Sequence, residues 1–575
     1  MSPVDGSSSY DCIVVGAGLT GIIAAQRLLQ AHPETQLVLL ERDYCVGGVW
    51  GERRIYPSFW SQWTHGIAEF SDMPMERPPA EDCMQDLFRA KYTTKYLESY
   101  VDNMRHCGKT LRDRIQFNTQ VKSIKKDNGK WKIECLDVNT KSQRSLWSSR
   151  LMMANGQASV PNVPHFCGQD QFDGTIIHSI DFGKSDVIQD QSMEHVAVIG
   201  GGKSAADMVY EAAKAGKTVS WIIRKTGNGS LGTAALAPID LPTPYRNGVE
   251  ASQARIMASL QPSYLIPYRS WWTWLLHSTR LGAKLVGKIF AILDGAVRNS
   301  AGYRERKSDK GFEKLEYDID IIWQNGTAGG CHFADFWSLV AEKVYVHRAS
   351  VKLLGGRELY LDDDNGTHFP CDTLLLGTGW KHGFDMFDEN TRIELGLPYP
   401  KSAELPQEAA KWQKLVGEAD EEVLRRFVML RDPPEHYHIY ETRTPYRLYH
   451  TMTPLHDDSI LFMNHIVAGA KLFVAEAQAI WAVAYWDKAF QVPSLAEREA
   501  DVAHMIAWNK RRYLSNGELG NFAAFDSVPY VDGLFDEMRL TSHRSKGWVG
   551  NMFAPIMPAD LGRVWQEYLA QRRNK

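Results

Sequence analysis

Two glycine clusters, Gly16-Ala17-Gly18-Leu19-Thr20-Gly21 and Gly200-Gly201-Gly202-Lys203-Ser204-Ala205, have the spacing of a backbone that wraps a diphosphate. In the first, Gly16 permits a tight turn, Gly18 lets backbone N–H groups approach the diphosphate, and Gly21 lets the following helix pack closely, so that the helix N-terminus faces the anion. In the second, Gly200 and Gly202 repeat the first two roles, Lys203 and Ser204 open the helix, and Ala205 stands at the third position, which tolerates alanine. The residue closing the strand after each cluster differs in charge. Glu41, next to Arg42, offers a carboxylate to the ribose hydroxyls of an adenosine, whereas Arg224, next to Lys225, would hold a ribose 2'-phosphate that a carboxylate repels. The expected ligands are FAD at the first cluster, where Gly47, Gly48, Val49 and Trp50 bring backbone and an aromatic ring to a planar ring system, and NADPH at the second.

Such turns need strand–turn–helix–strand units to place them. Tyr10–Val15, Ile22–Leu29 and Gln36–Leu40 supply strand, helix and strand by their apolar periodicity, and His195–Ile199, Ala206–Ala215 and Thr218–Ile223 repeat the order. The fold class is α/β, with two Rossmann-like dinucleotide-binding domains, the NADPH domain inserted in the FAD domain, plus a helical insertion. The first part of the FAD domain spans 1–165 and ends in a linker marked by Pro161 and Pro164, and the NADPH domain spans 166–371 with its insertion at about 227–335. The second part of the FAD domain spans 372–495, and 496–575 form a C-terminal helical extension. The run from Asp372 to Trp380 reads as the return of the FAD domain, a buried strand ending in a glycine turn, which makes Thr378 and Gly379 cofactor-binding candidates. Phe117–Ile124 reads as the adenosine-side strand, with Val121 meeting the adenine through its backbone.

At this point the chain resembles the flavin-containing monooxygenases, members of the class B flavoprotein monooxygenases that also include Baeyer-Villiger and N-hydroxylating enzymes. Besides both glycine turns, Phe172-x-Gly174-x-x-x-His178-x-x-x-Phe182 is similar to the family fingerprint, with an aromatic end in place of the Trp-Pro or Trp-Asp ending typical of Baeyer-Villiger enzymes. Phe70-Ser71-Asp72 is similar to the family's Phe-Ser-Asp block, and Glu476-x-Gln478-Ala479 to its late helix. The resemblance implies reduction of FAD by NADPH, capture of O2 as a C4a-(hydro)peroxyflavin, and transfer of one oxygen atom to a substrate, with the second leaving as water. The protein would then hold the nicotinamide, exclude water and donate hydrogen bonds. Gln62 stands where the family places an Asn near the flavin edge, Asn155 where it places Thr, and Trp380 where it places Tyr. Gln62 and His178 are therefore the catalytic candidates, and for His178 a packing role is favoured over chemistry.

The rest of the chain bounds these expectations. Over 575 residues, 44% hydrophobic and 23% charged side chains describe a globular protein, and a net charge of -4 gives no electrostatic reason to bind nucleic acid. The eight cysteines are scattered without a Cys-x-x-Cys, which argues against a disulfide reductase and fits a reducing, cytoplasmic setting. His436-x-His438 has no third ligand at useful spacing, so no metal is expected. In the insertion, Pro238, Pro242, Pro244, Pro262 and Pro267 punctuate a loop ahead of Trp271-Trp272-Thr273-Trp274. A helix then carries Arg280, Lys284 and Lys288 on one face, with Leu281, Leu285, Ile289 and Ile292 expected opposite. Packing on the protein's own core, a lid over a lipophilic substrate, and a peripheral membrane contact through 271–293 are the three readings of this segment.

The expected function is thus an NADPH- and O2-consuming monooxygenase acting on a lipophilic small molecule of the secondary-metabolite type. A Baeyer-Villiger enzyme converting a ketone to an ester or lactone is the first alternative. A redox-silent FAD/NADP-binding protein is the second.

Overall fold

The computed structural model describes residues 8–225, 244–266, 270–324, 333–434, 442–542 and 547–574. Two parallel sheets organise it. The first has seven strands, with a parallel core in the order Ile115–Gln116, Leu37–Leu40, Ser8–Val15 and Gln143–Met153, and an antiparallel ribbon of Lys130–Asp137 and Thr119–Asp127 beyond. Leu37–Leu40 is buried throughout, as a strand covered on both faces must be. Helix Leu19–Ala31 packs between this sheet and helix Lys471–Trp486, whose residues are nearly all buried, so its apolar character runs round the whole helix.

The second sheet has five parallel strands in the order Thr175–His178, Thr373–Leu376, His195–Ile199, Thr218–Ile223 and Val344–Arg348. Helices Lys203–Lys214 and Phe336–Lys343 cover one face, and a three-stranded antiparallel sheet over Ser350–Pro370 covers the other. Asp363 Oδ1 accepts from the Thr367 backbone N–H at 2.9 Å and closes the hairpin between Glu358–Asp362 and His368–Pro370.

This topology corrects the expectation that the FAD domain resumes at 372. Thr373–Leu376 is inserted between two strands of the second sheet, and the late strand of the first sheet is Ile460–Phe462, paired with Leu151–Met153. Both sheets require a fully buried parallel strand, and such a strand reads as the same unbroken apolar run in either place. The crossing comes a few residues later. Trp380–Lys381 pairs antiparallel with Val160–Pro161, so the outgoing and returning linkers run side by side.

The insertion and the C-terminal extension are locked together. Arg255 makes two hydrogen bonds of 2.8 Å to the carboxylate of Asp532 with both side chains buried, and Trp508 Nε1 donates to the Pro262 carbonyl at 2.7 Å. Helices Leu495–Arg512, Ser527–Glu537 and Pro558–Arg573 complete the core around the first sheet. Pro238, Pro242, Pro267, Cys331, His436 and His438 lie outside the described residues.

Candidate functional site

The first glycine turn opens onto a cavity of about 640 Å³. Gly16 has φ +106°, and a Cβ on Gly21 would stand 1.9 Å from the Gly16 carbonyl oxygen, so turn and helix meet at a distance only glycine allows. A Cβ on Gly18 would meet no described protein atom closer than 3.8 Å: this position opens toward the cavity. Helix Leu19–Ala31 has no side-chain cap and no acid in its first turn, which leaves its N-terminal N–H groups for an anionic ligand.

Glu41 lines the same cavity. Its Oε2 accepts from Ala17 N at 2.8 Å and its Oε1 from Asp43 N at 2.9 Å, which fixes the carboxylate beside the turn and leaves lone pairs for ribose hydroxyls. Burial raises its pKa against the two backbone N–H groups that favour the anion. Arg42, Gly48, Val49, Trp50 and Val121 also line the cavity, together with Gly16, Gly18 and Glu41, whereas Gly21 packs the helix behind it. The space, the uncapped helix and the buried acid fit an FAD.

Behind this wall, the block at Phe70–Asp72 and the late helix are held by one guanidinium. Arg27, fully buried on helix Leu19–Ala31, reaches Asp72 at 2.8 Å, Glu476 at 2.5 Å and Ser71 Oγ at 2.9 Å, while Tyr100 donates to Asp72 at 2.8 Å. These motif residues therefore position the nucleotide helix from behind.

The cavity wall also includes Trp63, Asn155, Gln157, Asn464 and Lys471. Gln62, the neighbour of Trp63 on strand Trp60–Thr64, does not line the cavity. Alternation along a strand sends the two side chains to opposite faces. Asn155 donates to the Gly383 carbonyl at 2.7 Å and takes a 3.2 Å hydrogen bond from His465 Nε2. Asn464, at φ +57°, donates to Thr20 Oγ1 at 3.0 Å. Lys471, the first residue of the late helix, donates to Gln157 Oε1 at 3.2 Å and to the Ile466 carbonyl at 3.0 Å. Among the described residues no carboxylate pairs with it, and burial brings its pKa down to about 7. Burial likewise brings His465 down to about 3, so that imidazole is neutral. A lone lysine at the head of an apolar helix was the sequence signal available for this group.

The second turn repeats the geometry. Gly200 has φ +124°, its Cβ would stand 2.3 Å from the Gly377 carbonyl oxygen, and Ala205 is buried against Gly377. Gly202 caps helix Lys203–Lys214 without a side-chain bond, and Ser204 lies in its first turn. Lys203 pairs with Asp207 on the same helix. Arg224 and Lys225 stand exposed just past strand Thr218–Ile223, and neither is ion-paired among the described residues. The free cations at this strand end fit a 2'-phosphate.

The two turns are joined by aromatic rings. Trp50, in the wall of the first cavity, stacks on Phe59 at 5.3 Å between centroids, Phe59 stacks on Tyr56 at 5.0 Å, and Lys203 Nζ lies 5.0 Å from the Phe59 centroid. Tyr56 donates to Asp207 at 2.5 Å. The ladder brings the head of the second nucleotide helix to the wall of the first cavity.

Thr378 and Gly379, expected to bind cofactor, serve the linker. Thr378 Oγ1 donates to the Asn162 carbonyl at 2.5 Å, Asn162 N donates to the Gly379 carbonyl at 3.0 Å, and neither residue lines the cavity. His178 is bound on both ring nitrogens, Nε2 to the Gly379 carbonyl at 3.0 Å and Nδ1 to Ile180 N at 3.2 Å, and burial lowers its pKa. Those contacts tie its ring to the backbone of the linker.

Residues 13–241 match the model of the pyridine nucleotide-disulphide oxidoreductase family. The chain is similar to the FAD-dependent monooxygenase rstn6 of Aspergillus nomiae, with 30% identity over 98% of each chain. An FAD-dependent monooxygenase of Pyrenophora dematioidea is 31% identical over 94% of this chain and all of its own. Among solved structures, cyclohexanone monooxygenase from Rhodococcus sp. Phi1 bound to NADP+ shares the fold at a TM-score of 0.58 and 14% identity, over 93% of this chain and 97% of that one.

Proposed function

Since this chain belongs to the FAD-dependent monooxygenases, we propose that it consumes NADPH and O2 to insert one oxygen atom into a lipophilic small molecule. Bound FAD, once reduced by NADPH, supplies the O2 activation, with one oxygen atom going to the substrate and the other leaving as water. The observation that carries the reading is the aromatic ladder from Trp50 to Lys203, which sets two diphosphate cradles side by side in one chain.

The residues divide the work. The N-terminus of helix Leu19–Ala31 and Glu41 hold one dinucleotide by its diphosphate and ribose, and Arg224 with Lys225 selects the phosphorylated second one. Trp50 and Trp63 close the wall against water. Lys471 gives the cavity a positive potential that favours an electron-rich ring, because its own partners are neutral. Gln62 acts, in this reading, through Trp63 and the strand they share. No described residue between 244 and 324 lines this cavity, so the insertion takes no part in its wall.

The test is cofactor choice. Full-length protein should release FAD on denaturation and, without O2, lose flavin absorbance faster with NADPH than with NADH. Arg224→Glu should raise the NADPH concentration needed for half-maximal bleaching about tenfold or more and leave NADH unaffected, given the 1.5 to 3 kcal/mol typical of a charge-assisted bond. An unchanged NADPH response would remove Arg224 from the phosphate site. An ester or lactone as the aerobic product from a ketone would assign the Baeyer-Villiger variant of the same reaction.

A further inference from the structure

The helical hairpin Trp271–Ser278 and Arg280–Ala301 shows its apolar residues to solvent. Trp271 is 70% exposed, Trp274 61%, Leu281 75% and Ile292 68%, with Leu285 also exposed. The face that packs inward is a different one, made of Gly282, Val286, Val297 and Ala301, and it is anchored by buried Asp294, which accepts from Tyr317 OH at 2.9 Å and from Ile321 N at 2.8 Å. The sequence expectation that Leu281, Leu285 and Ile292 lie opposite the cations is thereby corrected. Leu281, Leu285, Lys288 and Ile292 form a single stripe at helical spacing, flanked by Arg280 and Lys284.

Three further observations narrow what covers this stripe. From Trp271 to Leu293 the chain contains no Asp or Glu, and Arg280, Lys284 and Lys288 are exposed and unpaired among the described residues. Two copies of this chain meeting face to face about a two-fold axis would oppose these cations to each other. The hairpin also stands on Ser259, which accepts from Trp272 Nε1 at 3.0 Å through its hydroxyl and from His277 Nε2 at 2.8 Å through its carbonyl. Ser259 follows helix Arg255–Ala258, and helix Gly547–Phe553, which carries exposed Trp548, Val549 and Phe553, packs against that same helix. Among the described residues no helix is long and apolar enough to cross a membrane.

We propose that this hairpin is a peripheral docking surface for an anionic phospholipid bilayer, with Trp271, Trp274, Leu281, Leu285 and Ile292 entering the headgroup–acyl boundary and Arg280, Lys284 and Lys288 facing lipid phosphates. Tryptophan suits that boundary, being apolar along the ring and polar at its N–H. The cations add attraction that salt weakens.

The test uses the FAD-loaded full chain and sucrose-loaded vesicles of phosphatidylcholine with or without about 30% phosphatidylserine. The protein should pellet with the anionic vesicles and partition at least about tenfold less onto neutral ones or at high salt. Trp271→Ser with Trp274→Ser should reduce partitioning about tenfold on the anionic vesicles. Lys284→Glu with Lys288→Glu should do so on the anionic vesicles alone. Both variants should keep the wild-type flavin content and NADPH oxidation rate in buffer. Wild-type protein that stays in the supernatant, variants that pellet as well as wild type, or a Trp-dependent dimer without vesicle binding would each overturn the assignment.

Discussion

Replacing Lys471 by methionine should change how the stability of the cofactor-free protein depends on pH. The ammonium is held by two neutral oxygens, and burial lowers its pKa from 10.5 to about 7. Between those values the unfolded chain carries one proton more than the folded chain at this position, so unfolding free energy rises with pH. From pH 7.5 to 9.5 the gain is roughly 2 to 3 kcal/mol. Methionine keeps the length of the stem and titrates nowhere. In urea denaturation of the apoprotein at pH 7.5, 8.5 and 9.5, the wild type should therefore gain on Lys471→Met by that amount before acidic and basic extremes intervene. Loading with FAD should shrink the difference, because an electron-rich ring opposite the ammonium favours its charged form. Parallel stability curves for wild type and variant would refute the reasoning, whatever their absolute separation.

Two other outcomes follow from the same geometry. Gly21→Ala should cost about 3 kcal/mol or more and abolish FAD binding, since its Cβ falls 1.9 Å from the Gly16 carbonyl oxygen, whereas Gly18→Ala should keep the wild-type melting temperature and weaken FAD alone, as read by flavin fluorescence titration. Stability should fall in acid: burial holds His465 at about 3 and His277 and His382 at about 4, so each folded pKa lies below the unfolded 6.5, and the stabilisation from staying neutral is lost as pH drops through that window, at roughly 2 kcal/mol per histidine by pH 5. His465→Gln should flatten that acid limb in denaturation midpoints taken between pH 7 and 5, and an unaltered slope would exclude His465 as a contributor.

The two cradles were legible because their chemistry is local. Glycine spacing and a strand-end charge are short-range patterns, and they point to Glu41 and Arg224 without knowledge of the rest of the fold. Long-range placement was not legible in the same way. Nothing in Thr373–Leu376 distinguishes one buried parallel strand from another, so its sheet depended on which neighbours came free. The face of a helix that packs inward is likewise set by its partners. Asp294, a charged residue that a hydrophobic pattern sends outward, is buried because Tyr317, Ile321 and Arg298 supply its hydrogen bonds, and this turns Leu281 and Ile292 to the surface. Resemblance places Gln62 at the flavin edge, and a one-residue difference along a strand exchanges the faces, so that Trp63 stands in the cavity wall.

Because Val160–Pro161 and Trp380–Lys381 pair side by side, the nucleotide domains are joined by a ribbon and not by a single thread. A thread lets its ends swivel freely, whereas a two-strand ribbon bends across its width and resists torsion. Bending would therefore be easier than twisting for any relative displacement of the two domains, and bending preserves which surfaces face each other. The nicotinamide carrier would then come and go along one track, meeting its acceptor in the same orientation at every turnover.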